Sequence, residues 1–122
     1  MIGFEEVIAN LQFEDKQTDD EEKFGIHRLF PTKGCIEFVK LYPNIKYKAH
    51  IHDQSSARFI FLKGSGKVII GEKSFDFKPG FQIDAPAGVK HGFEIASEAI
   101  FLSIQTHPIQ NQETGEIDIR YE

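Results

Sequence analysis

From Phe24 onward, short runs rich in Phe, Ile and Val alternate with polar positions and are bounded by Gly, Pro or Asn about every 8–12 residues, the signature of strands in an all-β chain. The pattern predicts strands at roughly 24–30, 34–42, 46–52, 57–63, 66–70, 73–77, 80–84, 91–96 and 98–106, with a further one near 117–121. Gly64-Ser65-Gly66 and Gly71-Glu72 each separate two apolar runs and read as tight hairpins whose glycines supply positive φ, so the sheet is expected to be antiparallel. So many short strands predict a sandwich or a barrel, and closing a barrel removes exposed edges. Phe4, Val7, Ile8 and Leu11 fall at helical spacing, yet Leu11 and Phe13 also suit the start of an alternating strand, and the pattern does not choose. Residues 14–23 are almost wholly charged or polar and read as a solvated loop.

A chain of 122 residues is the size of one ordinary domain, and residues 1–122 are expected to form one core without internal repeats. Its 40% hydrophobic and 27% charged residues suit a folded soluble domain. The net charge of -5 argues against a nucleic-acid backbone or an anionic membrane as partner. No basic leader and no apolar run of the roughly 18 residues needed to span a bilayer is evident. Cys35 is the one cysteine, which excludes an intrachain disulfide and a Cys-based zinc cluster. A cytoplasmic location is expected from this, with Cys35 a small buried apolar residue rather than a nucleophile.

The candidate chemistry lies in the histidines. His50 and His52 stand two apart in an expected strand, so their rings project from one face and suit chelation of one ion. His91 follows Gly80 and Pro86-Ala87-Gly88, where a strand ends and a proline-fixed turn leads into the next strand. His27 and His107 belong to no such pattern and are expected at the surface or behind the site.

The segments 44–64 and 80–95 resemble the two motifs of the cupin superfamily. The first motif reads G-x5-H-x-H, then three or four residues, then E-x6-G; His50, His52 and Gly64 match, and Asn44 replaces the opening glycine. Asn tolerates the left-handed backbone region, so Pro43-Asn44 can still turn. The glutamate is missing, its position being held by Ala57. The second motif reads G-x5-P-x-G-x2-H-x3-N; Gly80, Pro86, Gly88 and His91 match, and Ile95 stands in place of the asparagine.

The resemblance implies a double-stranded β-helix (jelly-roll) barrel with a divalent transition metal on His50, His52 and His91, the ion being iron, nickel, zinc, manganese or copper. Gln54 shares the parity of the pair and is a further candidate ligand. If Ala57 faces the interior, so do Phe59 and Phe61, and Phe93 and Ile95 continue the face of His91, which gives a pocket lined by Ala57, Phe59, Phe61, Phe93 and Ile95. Three neutral imidazoles leave the charge of an ion uncompensated and its remaining positions open to a small-molecule ligand. The resemblance thus suggests a metal-dependent enzyme such as a three-histidine dioxygenase, with no catalytic residue beyond the ligands assigned. The alternative is a non-catalytic binding or sensing barrel with a degenerate site. An isomerase would need a base with an orienting carboxylate, and the sequence offers no such dyad. The apolar outward positions Ile60 and Leu62 call for cover by the N-terminal segment or a second copy, and a homodimer is expected, as in many cupins.

Overall fold

A computed structural model describes residues 3–31, 35–111 and 113–121; residue 34, where the second expected strand begins, lies outside them. One short helix, α1 (Phe4–Ala9), precedes nine strands: β1 (Glu14–Gln17), β2 (Lys23–Pro31), β3 (Cys35–Leu41), β4 (Lys46–Ile51), β5 (Ala57–Ile70), β6 (Lys73–Phe77), β7 (Gln82–Ala85), β8 (His91–Gln105) and β9 (Arg120–Tyr121). The N-terminal periodicity therefore resolves as helix, and Ile8 on its buried side is 7% exposed. Part of the charged segment is not loop. Glu14–Gln17 pairs along β2, because an edge strand needs backbone partners on one side only and tolerates polar side chains on the other. No helix among the described residues is long and apolar enough to cross a membrane.

Every pairing is antiparallel, and β5 and β8 are the two long strands that organise the rest. The C-terminal half of β8 lies between β3 and the start of β5, whose other edge holds β7. Its N-terminal half lies between β4 and the end of β5, whose other edge holds β6, with β9 beyond β4. Both long strands thus pass from one layer to the other, which closes the jelly-roll barrel.

The crease sits where the sequence suggested a hairpin. Gly64-Ser65-Gly66 does not reverse the chain; it carries register shifts within β5, opposite Ser97 of β8. Glycines with positive φ serve a bulge as well as a turn, and only the strand across the way distinguishes the two. A Cβ on Gly64 would stand 2.3 Å from the Glu98 carbonyl oxygen, so the strands meet there because no side chain intervenes. By contrast, Gly71-Glu72 is a two-residue hairpin, with Ile70 opposite Lys73.

Alternation holds along the walls. Phe59 and Phe61 are buried, Arg58 is exposed, and Ile60 and Leu62 lie half-buried on the outer face. Phe61, Phe77, Phe93 and Phe101 fill the centre; Phe61 and Phe77 stack at 4.0 Å and Phe93 and Phe101 at 5.3 Å between centroids. Cys35 is 2% exposed, and burial pushes its thiol up to about 11, which leaves it protonated and inert. On the outer face His27 donates through Nδ1 to the Gln12 carbonyl (2.7 Å) and packs between Phe13 and Phe38. His107 is exposed, and its carbonyl accepts the Ser55 hydroxyl.

Candidate metal centre

His50 and His91 are cross-strand partners on β4 and β8, and His52 follows the end of β4. Regular alternation alone would not place them together. Tyr47 pairs with Phe93 and His50 with His91, so three steps on β4 match two on β8, and the extra residue turns His50 inward. Gly92 makes room for this bulge: a Cβ there would lie 2.9 Å from the Tyr47 carbonyl oxygen and 3.3 Å from the Ala49 Cα. Gly92→Ala is accordingly expected to cost about 1–3 kcal/mol, the usual penalty of overpacking, and to weaken metal binding by moving His50. Calorimetric melting with metal titration checks this, and a variant that matches the parent in both would refute the role given to the bulge.

Each of the three histidines offers a ring nitrogen, and these nitrogens all lie within 4.8 Å of one another. Ring centroids are 4.3 Å apart for His50 and His91, 4.9 Å for His50 and His52, and 5.0 Å for His52 and His91. Among the described residues no carboxylate or thiol joins this group. Burial lowers the pKa of all three, that of His50 to about 4, and mutual repulsion adds to this for His50 and His91. At neutral pH all three are therefore neutral, which is the form that ligates a metal.

The donor set fits a divalent transition ion. His52 donates from Nδ1 to the Asp118 carbonyl oxygen (2.6 Å), so its Nε2 carries the lone pair. His91 is only 4% exposed, and its Nδ1 makes no well-formed hydrogen bond, although the ring interacts with the Val89 backbone. Imidazole donors suit zinc, iron, nickel and copper.

The C-terminal segment completes the surroundings. The Asp118 carboxylate accepts the backbone N–H groups of Asp53, Gln54 and Ser55 at 2.8, 3.0 and 3.1 Å. Arg120 grips Asp53 through two bonds of 2.8 Å, and Tyr121 lies 5.7 Å from the His50 ring, pairing with it as β9. Nothing in the local sequence marks Asp118, whose partners are more than 60 residues away.

Of the expected pocket residues, Phe59 and Phe93 are near the centre, 5.4 and 6.1 Å from the His91 ring. Ala57 is half-buried at the start of β5, between Ala85 and Gln105. Phe61 lies against Phe77 and Phe101, deeper in the core. Ile95 is buried further along β8 and borders a separate shallow groove of about 660 Å³, shared with Asn44, Gly66 and Phe77, that none of the three histidines lines. Gln54 is exposed on the turn held by Asp118. Asn44 adopts φ 63° as its motif position requires, and its N–H donates to the carbonyl of Ile95, so two of the three departures from the motifs meet through the backbone.

The interior also holds polar groups that the motifs did not indicate. Glu37, Ser103 and Gln105 are 3%, 2% and 7% exposed. Glu37 shares its inward parity with Cys35, Val39 and Leu41, and Ser103 and Gln105 continue that of Ala99 and Phe101, so the period of two would have found them.

A family profile for the cupin domain matches residues 37–105. No curated protein matches the sequence. Among solved structures, a predicted oxalate decarboxylase from Thermotoga maritima superimposes with a TM-score of 0.69 at 18% identity, over 80% of this chain and 93% of that one. KdgF from Halomonas sp. gives 0.67 at 14% identity, over 77% and 85%. A point mutant of salicylate 1,2-dioxygenase from Pseudoaminobacter salicylatoxidans, in complex with gentisate, gives 0.60 at 15% identity, over 68% of this chain and 25% of that one. At such identities the likeness is one of fold.

Proposed function

The chain belongs to the cupin family, and from that premise we propose that it is a metal-dependent enzyme acting on a small molecule, with His50, His52 and His91 as the metal ligands. The observation that carries this reading is the cluster of three neutral imidazoles, two half-buried and one buried, whose ring nitrogens converge within 4.8 Å. When bound, a divalent ion there supplies a Lewis-acidic centre with open positions for substrate and, in a dioxygenase, for oxygen. The chain's own part is positional. The Asp118 carbonyl fixes the His52 tautomer, the bulge at Gly92 aims His50, and Phe59 and Phe93 keep one side of the centre apolar.

Ala57 supports a second reading, a binding barrel without turnover, because the position of the motif's carboxylate holds no donor. Elemental analysis of the protein beside a His50/His52/His91→Ala variant separates the two. Near-stoichiometric iron, nickel or zinc that disappears in the variant supports the enzyme reading; a protein that stays empty in added metal favours the barrel. Ala57→Glu is further expected to tighten metal binding by about tenfold or more, since a carboxylate would partly neutralise the ion. Unaltered affinity in that variant would show that position 57 does not face the ion.

A further inference from the structure

Among the described residues, Gln105 holds a buried polar atom without a partner. Its Nε2 donates to Glu37 Oε1 (2.6 Å) and to Ser103 Oγ (3.1 Å), while its Oε1 is buried and unpaired. Reversing the amide would set its oxygen against the Glu37 carboxylate, so the orphan is the acceptor. An orphaned buried acceptor carries an uncompensated desolvation cost, which a ligand with a donor would recover.

This amide belongs to the wall beside the histidines. Gln105 is the cross-strand partner of Ala57, and Ser103 that of Phe59, whose ring is 5.4 Å from His91. A methyl group at position 57, where the motif has a glutamate, leaves the side of Gln105 clear of a long side chain. Arg28 bonds Glu37 Oε2 at 3.1 and 3.2 Å, so the wall carries no uncompensated charge and suits a neutral donor, a hydroxyl, better than an ammonium group.

We propose that Gln105, held by Glu37 and Ser103, recognises a hydroxyl of a small anionic chelating ligand whose other end reaches the histidine centre, that is, a polyhydroxy carboxylate. The anionic end offsets the charge that three neutral ligands leave on the ion, and the hydroxyl end satisfies Oε1. This rests on the metal reading above.

Lactate, glycerate and threonate share a chelating 2-hydroxy carboxylate and differ in further hydroxyls, so they serve as probes with the Co(II)-loaded full chain in titration calorimetry. Affinity is expected to rise at least about tenfold from lactate to threonate, the worth of one good hydrogen bond to a buried group. Gln105→Leu is expected to abolish this rise, measured relative to lactate in the same variant; Gln105→Met, closer in length, does the same if the leucine variant does not fold. A flat series in the parent protein overturns the proposal, as does a rise that survives loss of the amide. Failure of the parent to take up Co(II) overturns the metal reading and this inference with it, whereas Co(II) uptake with a flat series overturns this inference alone.

Discussion

His91→Ala is expected to lower affinity for Co(II) or Zn(II) by more than a hundredfold while making the metal-free protein less sensitive to acid. The first effect follows from position. His91 is the most buried of the three histidines, and losing an imidazole that would touch the ion under the proposed reading must exceed the roughly 10–100-fold cost of losing an outer partner. The second follows from electrostatics: the ring is held neutral far below its ordinary pKa by burial and by its two neighbours, so removing it removes a group that acid must charge. A cavity penalty lowers stability at neutral pH, but the slope of stability against pH is expected to flatten. Urea unfolding with EDTA at several pH values reads the slope, and competition titration reads the affinity. A variant with parental affinity would remove His91 from the centre.

Between pH 6.5 and about 4 the metal-free protein itself is expected to lose stability steadily. In the unfolded chain His50 titrates near its ordinary value of 6.5, and in the folded chain at about 4. In that interval the unfolded state binds a proton that the folded state does not, so stability falls as pH falls, by up to about 3 kcal/mol from His50 alone. His52 and His91 are shifted the same way and add to the loss. Carboxylates enter only at the acid end of this interval: Asp53, Asp84 and Glu98 are held low by Arg120, Arg58 and Lys63 respectively, so their contribution is full well above their unfolded values and begins to fade near 4.5 for Glu98 and near 3.8 for the two aspartates. The check is the free energy of unfolding at pH 7.5, 6.5, 5.5 and 4.5 without metal; a flat profile would contradict the burial of the histidines.

Both predictions concern residues that the amino-acid sequence marks out. His50, His52 and His91 stand at motif spacing, and the glycines and proline between them mark where the chain must turn. The alternation of Ala57, Phe59 and Phe61 against Arg58, Ile60 and Leu62 likewise reads directly from the chain, because side chains on a strand alternate whatever the sheet does. The features that were not legible depend on what lies across a strand. Gly64-Ser65-Gly66 has the composition of a hairpin, and only its pairing to β8 makes it a crease in one long strand. The bulge that aims His50 is visible in β4 only against the register of β8.

Fold class and the two-residue turn at Gly71-Glu72 are legible in the chain because they rest on local backbone preference, and the candidate ligands because the histidines match the cupin motifs. Only the folded chain shows that Asp118 holds the turn beside His52 and that Gln105 comes to face Ala57 with one oxygen unpaired. Each of these is a contact between segments separated along the chain. Its energy depends on closure of the barrel, and no local pattern carries the information that selects it.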